Sequence, residues 1–549
     1  MSKILNYFKN RLSYINAVRP IIYTFGRTLF TLKGNSKFVF VMRKTLIIVI
    51  VCLLTFSVSE MCLAQEAVHT VRLSKSDIIG TNNAVWEGWG TSLCWWANRI
   101  GYNPVLTDKA ATLFFDAEQG LGLNIMRYNI GGGDDPSHHH ITRTDSDVPG
   151  WLHYDALTGN TEYDYLADSC QLNVLEAAAK AAGQDAWIEV FSNSPPYFMT
   201  NSGCSTGNVK ADENNLRDDS YGDFADYLAH VTAYMRNEME IDVRSLAPMN
   251  EPNTNYWGAY SRKQEGCHFD AGESQSRILK LTSDAMKRYG IAGDVILTAS
   301  DETNPGKQLE ELRSYSADAK EAIGRISAHT YGINAIRELG QAVRDEGYNL
   351  WMSEVDGNGT SGTNAGEMAA GLWLAEKIIY DITELEPSAW VLWQVIDTHV
   401  SASGYKGRRD TGALRLNGGY WGTAWADHDR NEIGLTQKYY AFGQFSRYIR
   451  PGAKLIKCQS GISGVSMLTA LWKSGKGITV VCSNSTDTVQ TIDVDLSDIS
   501  IRHGRLEGFR TSGRISDGEH WSPIGYSRIT RSVVRLFLAP NSVTTYVSK

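Results

Sequence analysis

The sequence predicts an α/β protein: a (β/α)8 TIM barrel with an antiparallel β-sandwich appended behind it. Three observations lead there. Eight apolar, β-rich runs alternate with amphipathic helical stretches, and eight parallel strands close a barrel. The alternation stops near Arg450-Pro451-Gly452, after which short runs of alternating polarity follow without a long amphipathic helix. The 549 residues exceed what one small core organises, so two domains suit the length.

The first 64 residues stand apart from this fold. Met42-Arg43-Lys44 precedes an apolar run over 46–56, which leads to Cys62-Leu63-Ala64. A positive start, an apolar stretch shorter than the roughly 18 residues of a spanning helix and a small-residue end make a secretory signal peptide, cleaved near Ala64. Residues 1–41 hold seven Lys or Arg and no Asp or Glu, so Met42 is read as the true start. A basic cytoplasmic tail before an uncleaved anchor is the competing arrangement. On the first reading the protein is secreted, periplasmic or cell-surface, with no membrane span in the mature chain. Residues 65–84 are expected to form an extended strand that joins the side domain.

The barrel is expected over 85–449. Its strands are read at 85–93, 123–129, 186–192, 243–250, 295–300, 325–329, 349–354 and 389–393, with helices such as 172–182, 221–238 and 365–384 between them. Those helices supply the crossovers that parallel strands require. The β-sandwich is expected over 450–549, with strands including 477–482, 491–496 and 533–538 separated by Ser, Gly and Asp turns.

Composition narrows the function. With 42% hydrophobic and 21% charged residues the chain is globular. Its 15 Trp and 26 Tyr include many in polar, Gly-rich stretches, where exposed rings suit the C–H faces of sugars. Residues 1–64 carry nine of the 53 basic residues and one of the 61 acidic ones, leaving 44 against 60 and a net charge of −16 in the mature chain. Such a surface repels polyphosphates and excludes nucleic acid as a partner. Cys94, Cys170, Cys204, Cys267, Cys458 and Cys482 remain after cleavage, an even number in an oxidising compartment. No CxxC pair has zinc spacing, and three adjacent histidines, His138-His139-His140, do not easily converge on one ion. Neither a metal nor a cofactor is therefore expected. Cys204 and Cys267 follow the third and fourth strands, so a disulfide between their loops is expected, and a second between Cys458 and Cys482.

The chemistry lies where strands end. The fourth strand runs into Asn250-Glu251-Pro252-Asn253 and the seventh into Glu354-Val355-Asp356-Gly357. Each delivers a carboxylate to the same end of the barrel. Cleavage of a glycosidic bond needs such a pair, one acid for the leaving oxygen and one carboxylate for the oxocarbenium-like centre. Asp301-Glu302, Asp134-Asp135 and Asp356 are further carboxylates, read as substrate-hydroxyl contacts or loop structure. The glycines Gly131-Gly132-Gly133 lack the Lys-Ser/Thr of a nucleotide site and read as a tight turn.

Five stretches, in barrel order, carry a resemblance: Glu87-Gly88-Trp89-Gly90, Arg127-Tyr128-Asn129-Ile130-Gly131-Gly132-Gly133, Asn193-Ser194-Pro195-Pro196, Asn250-Glu251-Pro252 and Ser353-Glu354. Together with Tyr440-Ala441-Phe442-Gly443-Gln444-Phe445-Ser446-Arg447, they resemble glycoside hydrolase family 30, over about residues 80–549. That family belongs to a clan of retaining glycosidases (clan A) with acid/base and nucleophile after the fourth and seventh strands. The resemblance implies Glu251 as acid/base, Glu354 as nucleophile and Asn250 as a hydrogen-bond partner of the sugar hydroxyl beside the reacting carbon. It implies Arg127 beside Glu354, keeping it ionised, with a purely structural salt bridge as the alternative. It places Tyr331 on the nucleophile and Trp393 under the sugar, ordinary core roles being the alternatives. Trp89, Asn193 and Trp257 complete the expected substrate contacts. The stretches 87–97 and 250–257 look like the subfamily that cleaves internal β-1,6-linked galactan side chains of arabinogalactan-type glycans. Other activities of the family, β-1,6-glucanase, exo-acting galactosidase or fucosidase and xylanase, stand as alternatives, with a non-catalytic glycan-binding protein as the one outside enzymology.

Overall fold

The computed structural model describes residues 69–356, 367–410 and 421–549. The proposed signal peptide lies outside them. Eight parallel strands close a barrel: Gly88–Ser92, Ile125–Asn129, Trp187–Phe191, Val243–Ala247, Ile296–Glu302, Arg325–His329, Asn349–Glu354 and Ala389–Leu392. The eighth pairs with the first through Ala389 opposite Gly88 and Trp390 opposite Trp89, which completes the ring.

Side chains alternate across a strand, and that period sorts the barrel. Met126, Ile188, Leu246, Ile326, Leu350 and Met352 point outward and pack in one core with helical residues such as Leu175, Leu228, Ile278 and Ile378. Their strand neighbours face the axis. At the lower end Ile125, Trp187, Trp351, Ala389 and Val391 form an apolar plug. Arg325 lies over the Trp351 ring, 3.5 Å from its centroid. Above the plug the interior turns polar, with Arg127, Glu189, Ser245 and Ser327 all buried.

The helices begin where the sequence supplies caps. Asn304 accepts from the Lys307 N–H ahead of Pro305, and Asn103 accepts from Val105 and Leu106 ahead of Pro104; both combine a side-chain acceptor with proline in the first turn. No described helix is long and apolar enough to cross a membrane.

The C-terminal residues form a mostly antiparallel sheet of ten strands, in the order His69–Arg72, Gln490–Asp495, Val533–Leu538, Glu519–Thr530, Gly504–Ser512, Ser542–Ser548, Ile478–Asn484, Val465–Leu471, Lys454–Ile456 and Ile78–Ile79. The sheet folds over on itself. The Tyr546 hydroxyl donates to the Phe537 carbonyl (2.9 Å), although two strands stand between theirs in the pairing order. Both outermost strands come from the segment that precedes the barrel, the first pairing in parallel with Gln490–Asp495.

Helix Gln437–Ser446 joins sheet and barrel. On one side Gln444 donates to Thr511, and the Trp521 indole N–H donates to the Tyr440 carbonyl (2.7 Å). Gly443 is required there, because a Cβ would stand 2.3 Å from the Trp521 ring. On the other side Phe442 and Phe445 pack against Trp89.

Two expectations are corrected here. Trp89 is 0% exposed, faces the helix layer and donates its indole N–H to the Ile449 carbonyl (2.8 Å), so it is a core residue and no substrate contact. All six described cysteines are free thiols. Cys204 turns its sulfur toward His140 and Thr206, while Cys267 directs its own to the His268 carbonyl. Neighbouring loops do not make a bridge when the side chains point to different partners. Cys458 likewise engages Thr469, and Cys482 is buried in the core of the sheet.

Trp89→Ala is expected to lower unfolding free energy by about 3–5 kcal/mol, as large-to-small changes at fully buried aromatics do. Guanidinium unfolding measures it, and a loss below about 1 kcal/mol would place the indole outside the core.

Candidate active site

The polar interior opens upward into a cluster of carboxylates held by one guanidinium. Arg127, on the second strand, donates through Nε to Glu189 (3.1 Å), through one terminal nitrogen to Asp301 (3.0 Å) and through the other to Glu354 (3.0 Å). Its partners sit on the third, fifth and seventh strands, and the guanidinium also lies 4.2 Å from the Phe191 ring centroid. Glu189 receives Arg325 and Ser245 as well.

Glu251 and Glu354 face each other above this layer, with His329 between them. One oxygen from each carboxylate and one ring nitrogen of His329 all lie within 4.8 Å of one another. His329 Nδ1 is 3.2 Å from Glu251 and 3.6 Å from Glu354, and Nε2 is 3.7 Å from Asp301. A register shift between Ala328 and His329 brings His329 opposite Glu354 in the adjoining strand, the re-aiming of a side chain that a bulge performs. Tyr331, 37% exposed, donates its hydroxyl to Glu354 (3.0 Å).

The backbone at Glu251 is held in an unusual conformation. Its φ is +47° although it is not glycine and precedes a proline, a setting that disfavours the left-handed region. The Glu251 N–H donates to the Asp301 carbonyl (2.8 Å), and Asp301 has φ +61°. Trp257 donates its indole N–H to the Glu251 carbonyl (3.0 Å), and the Tyr256 hydroxyl donates to the Glu251 carboxylate. Trp257 is only 6% exposed. Its indole N–H therefore helps to hold Glu251 in place.

Burial sets the protonation of this cluster. It pushes the Glu354 carboxyl up to about 7, against His329 and Arg127, with Glu251 and Asp301 adding to the rise. The expectation that Arg127 keeps Glu354 ionised is corrected to this extent: the cation acts in the expected direction, but desolvation outweighs it. Burial would lower His329, yet Glu354, Asp301 and Glu251 together bring it up to about 10. Asp301 stays below its usual range despite burial, because Arg127, His329 and Ser353 all favour its anion. It supports the cluster and is no free contact for a ligand.

The remaining expected residues line the same end of the barrel. Asn250 and Asn193 are buried at the ends of the fourth and third strands, and each has a side-chain oxygen with no hydrogen-bond partner in the protein. Trp393 packs edge-on to Trp95, with ring centroids 5.0 Å apart. The glycines after the second strand wrap a buried carboxylate: Gly132 and Gly133 donate their N–H groups to Glu265. A Cβ at Gly132 would meet the Pro195 carbonyl at 2.4 Å. Burial pushes Glu265 up to about 8. Its position in the loop after the fourth strand carried no signal in the sequence.

Comparison with known proteins adds a family. Residues 70–405 match O-Glycosyl hydrolase family 30. An endo-beta-1,6-galactanase of Hypocrea rufa is 28% identical over 429 residues, covering 73% of this chain and 81% of that protein. An exo-beta-1,6-galactobiohydrolase of Bifidobacterium longum is 26% identical over 528 residues, covering 75% of this chain and 34% of that longer protein. Among solved structures, a conserved exported protein from Bacteroides fragilis shares the fold with a TM-score of 0.68 at 20% identity, covering 87% of this chain and 100% of that one. The catalytic domain of GH30 xylanase C from Talaromyces cellulolyticus does so with a TM-score of 0.64 at 17% identity, over 87% and 100%.

The raised His329 value carries a stability consequence. The fold favours the imidazolium, so its contribution is complete below pH 6.5 and is lost as pH rises through about 10. The difference in unfolding free energy between the parent chain and His329→Gln should therefore shrink across that window. Urea unfolding at a series of pH values measures it, and a constant difference would contradict the assignment.

Proposed function

The chain belongs to O-glycosyl hydrolase family 30, and from that premise we propose that it cleaves β-1,6-galactan chains by double displacement, with Glu354 as nucleophile and Glu251 as acid/base. One observation carries the mechanism. One carboxylate oxygen of Glu251 and one of Glu354 lie within 4.8 Å of each other. Retaining enzymes hold the pair about 5–5.5 Å apart, whereas inverting ones need about 6.5–9.5 Å to admit a water. Two relatives support the choice of sugar, one endo-acting and one exo-acting, whose names both specify galactose in β-1,6 linkage.

In the first step Glu354 attacks the anomeric carbon while Glu251 protonates the departing glycosidic oxygen. Arg127 and Tyr331 each hold one oxygen of Glu354, which fixes the carboxylate for in-line attack. Once Glu354 is glycosylated its negative charge is gone, and the His329 N–H is left to Glu251 alone. That change favours Glu251 as the base that takes a proton from water in the second step. Asn250 and Asn193 stand at the strand ends beside the pair, and Trp393 supplies apolar surface beneath the ring. A polymer too large to enter a cell suits the secretory pattern of residues 43–64.

The test uses β-1,6-galactan, β-1,6-glucan and xylan side by side. Galactan should be cleaved fastest, with the β-anomer of the product appearing first by NMR. Glu354→Gln should abolish turnover. Glu251→Gln should lower kcat/KM about 10²–10⁴-fold on galactan and recover in part on a substrate with a good leaving group. Faster release from glucan would replace the proposed sugar, and initial appearance of the α-anomer would overturn double displacement.

A further inference from the structure

Outside the carboxylate cluster, the loops after the second and third strands bring four metal-binding side chains together. Asp134, His138, His140 and Cys204 each offer one ligand atom, and the four atoms lie within 4.8 Å of one another. Two of the three adjacent histidines thus converge after all. The turn that directs His138 N–H to the Asp135 carbonyl carries His138 and His140 to the same side of Asp134, and the opposing loop contributes the thiol.

Three features separate this cluster from a chance gathering of polar groups. First, the tautomer of His140 is fixed. Its Nδ1 lies 2.6 Å from the Ser261 carbonyl, which can only accept, so Nδ1 carries a proton. In the neutral ring Nε2 then presents a lone pair, and it points at Asp134 Oδ2 (2.6 Å) and Cys204 Sγ (3.4 Å). A lone pair facing a carboxylate needs a cation between or beside them, either a second proton or a metal. Second, the outer contacts are those that orient ligands. Ser205 N–H donates to Asp134 Oδ1 (3.1 Å), and Tyr260 N–H donates to the Cys204 sulfur (3.4 Å). Outer-shell donors of this kind hold and orient ligand atoms. Third, the group is sheltered but reachable: the Cys204 residue is fully buried, while the Asp134, His140 and His138 side chains are 10%, 13% and 20% exposed.

We propose that Asp134, His138, His140 and Cys204 bind one Zn²⁺ ion, which clamps the loop after the second strand to the loop after the third. The donor set of one thiolate, two imidazoles and one carboxylate is borderline-soft and suits zinc. Ligands around a tetrahedral zinc stand about 3.3–3.7 Å apart, given bonds of about 2.0–2.3 Å. The Cys204–His140 and Asp134–His138 contacts, both at 3.4 Å, already fall in that range, while the Asp134–His140 contact, at 2.6 Å, has to open by about 0.7 Å to admit the ion. Binding releases the Cys204 proton to solvent. Thiolate and carboxylate then balance the charge of the ion, so a sheltered site stays neutral. The Tyr260 ring, from the loop after the fourth strand, lies edge-on to both imidazoles at 5.0 and 5.5 Å. The clamp therefore spans two loops and is covered by a third, beside the cleft and independent of Glu251 and Glu354.

The experiment equilibrates the intact protein with zinc, removes excess by dialysis against metal-free buffer and measures bound metal by mass spectrometry. About one equivalent per chain is expected, together with a fall in Tm on adding a chelator. Cobalt in place of zinc should show a thiolate-to-metal charge-transfer band, which reports the Cys204 bond directly. Cys204→Ser should abolish that band and weaken binding by more than about 100-fold, beyond the loss of an outer-shell partner. His139→Ala should leave both band and stoichiometry intact. The parent chain decides the matter if a variant fails to fold. No retained zinc and a Tm unmoved by chelator would reduce the cluster to a histidinium–aspartate pair. Cobalt bound without the charge-transfer band would place the ion on carboxylates elsewhere. Either result overturns the proposal.

Discussion

The buried guanidinium of Arg127 is the constraint from which the site follows. Three carboxylates from three other strands meet it within 3.1 Å in an interior closed to water. Anions gathered at that spacing repel one another strongly in a poorly polarisable medium. A single planar cation with donors on three sides is the side chain able to hold all three. Because its partners belong to different strands, the same contacts fix the strands' relative heights. The positions of Glu354 and Asp301 are thus outcomes of barrel assembly as well as of their own backbones.

The upper layer builds on that support. Asp301, fixed by Arg127, accepts the Glu251 N–H through its carbonyl and helps to hold His329. His329 stands between the two facing carboxylates and is itself kept charged by them. Glu251 sits in a left-handed conformation, secured by the Trp257 indole and the Asp301 carbonyl. Non-glycine residues in that region cost of order 1–3 kcal/mol, and persist where their surroundings over-determine them. Here the surroundings are visible: a tryptophan behind, a backbone acceptor beside and a charged imidazole in front.

Much of this was legible in the sequence because it is local. A parallel strand buried on both faces reads as an apolar run, and a carboxylate at its end reads as a group delivered to the barrel's rim, where Glu251 and Glu354 stand. His329 lies inside an expected strand, at even spacing from Arg325 and Ser327 and so on the axial side, a parity that the expected site leaves out. Other features depend on side-chain direction across the fold. Trp89 sits in a Gly-rich stretch that suggests a cleft, yet strand parity turns it toward Phe442 and Phe445. The adjacency of the loops that carry Cys204 and Cys267 is foreseeable, while the turn of each sulfur toward a different buried partner is not. The same holds for His138 and His140, whose convergence on Asp134 depends on a turn that spacing alone does not reveal.

The placement of residues 69–79 has a consequence for handling the protein. This short segment supplies both outermost strands of the ten-stranded sheet. Without it, Gln490–Asp495 and Lys454–Ile456 would each expose a row of unpaired N–H and C=O groups, the surface on which one chain templates another. A preparation trimmed to begin at the barrel would keep every residue of the cleft and still tend to associate. A segment held only by pairing at the two margins can also dock on a neighbour's sheet in place of its own, giving exchanged dimers at high concentration. The chemistry belongs to the barrel, but both margins of the sheet are closed by eleven residues that take no part in it.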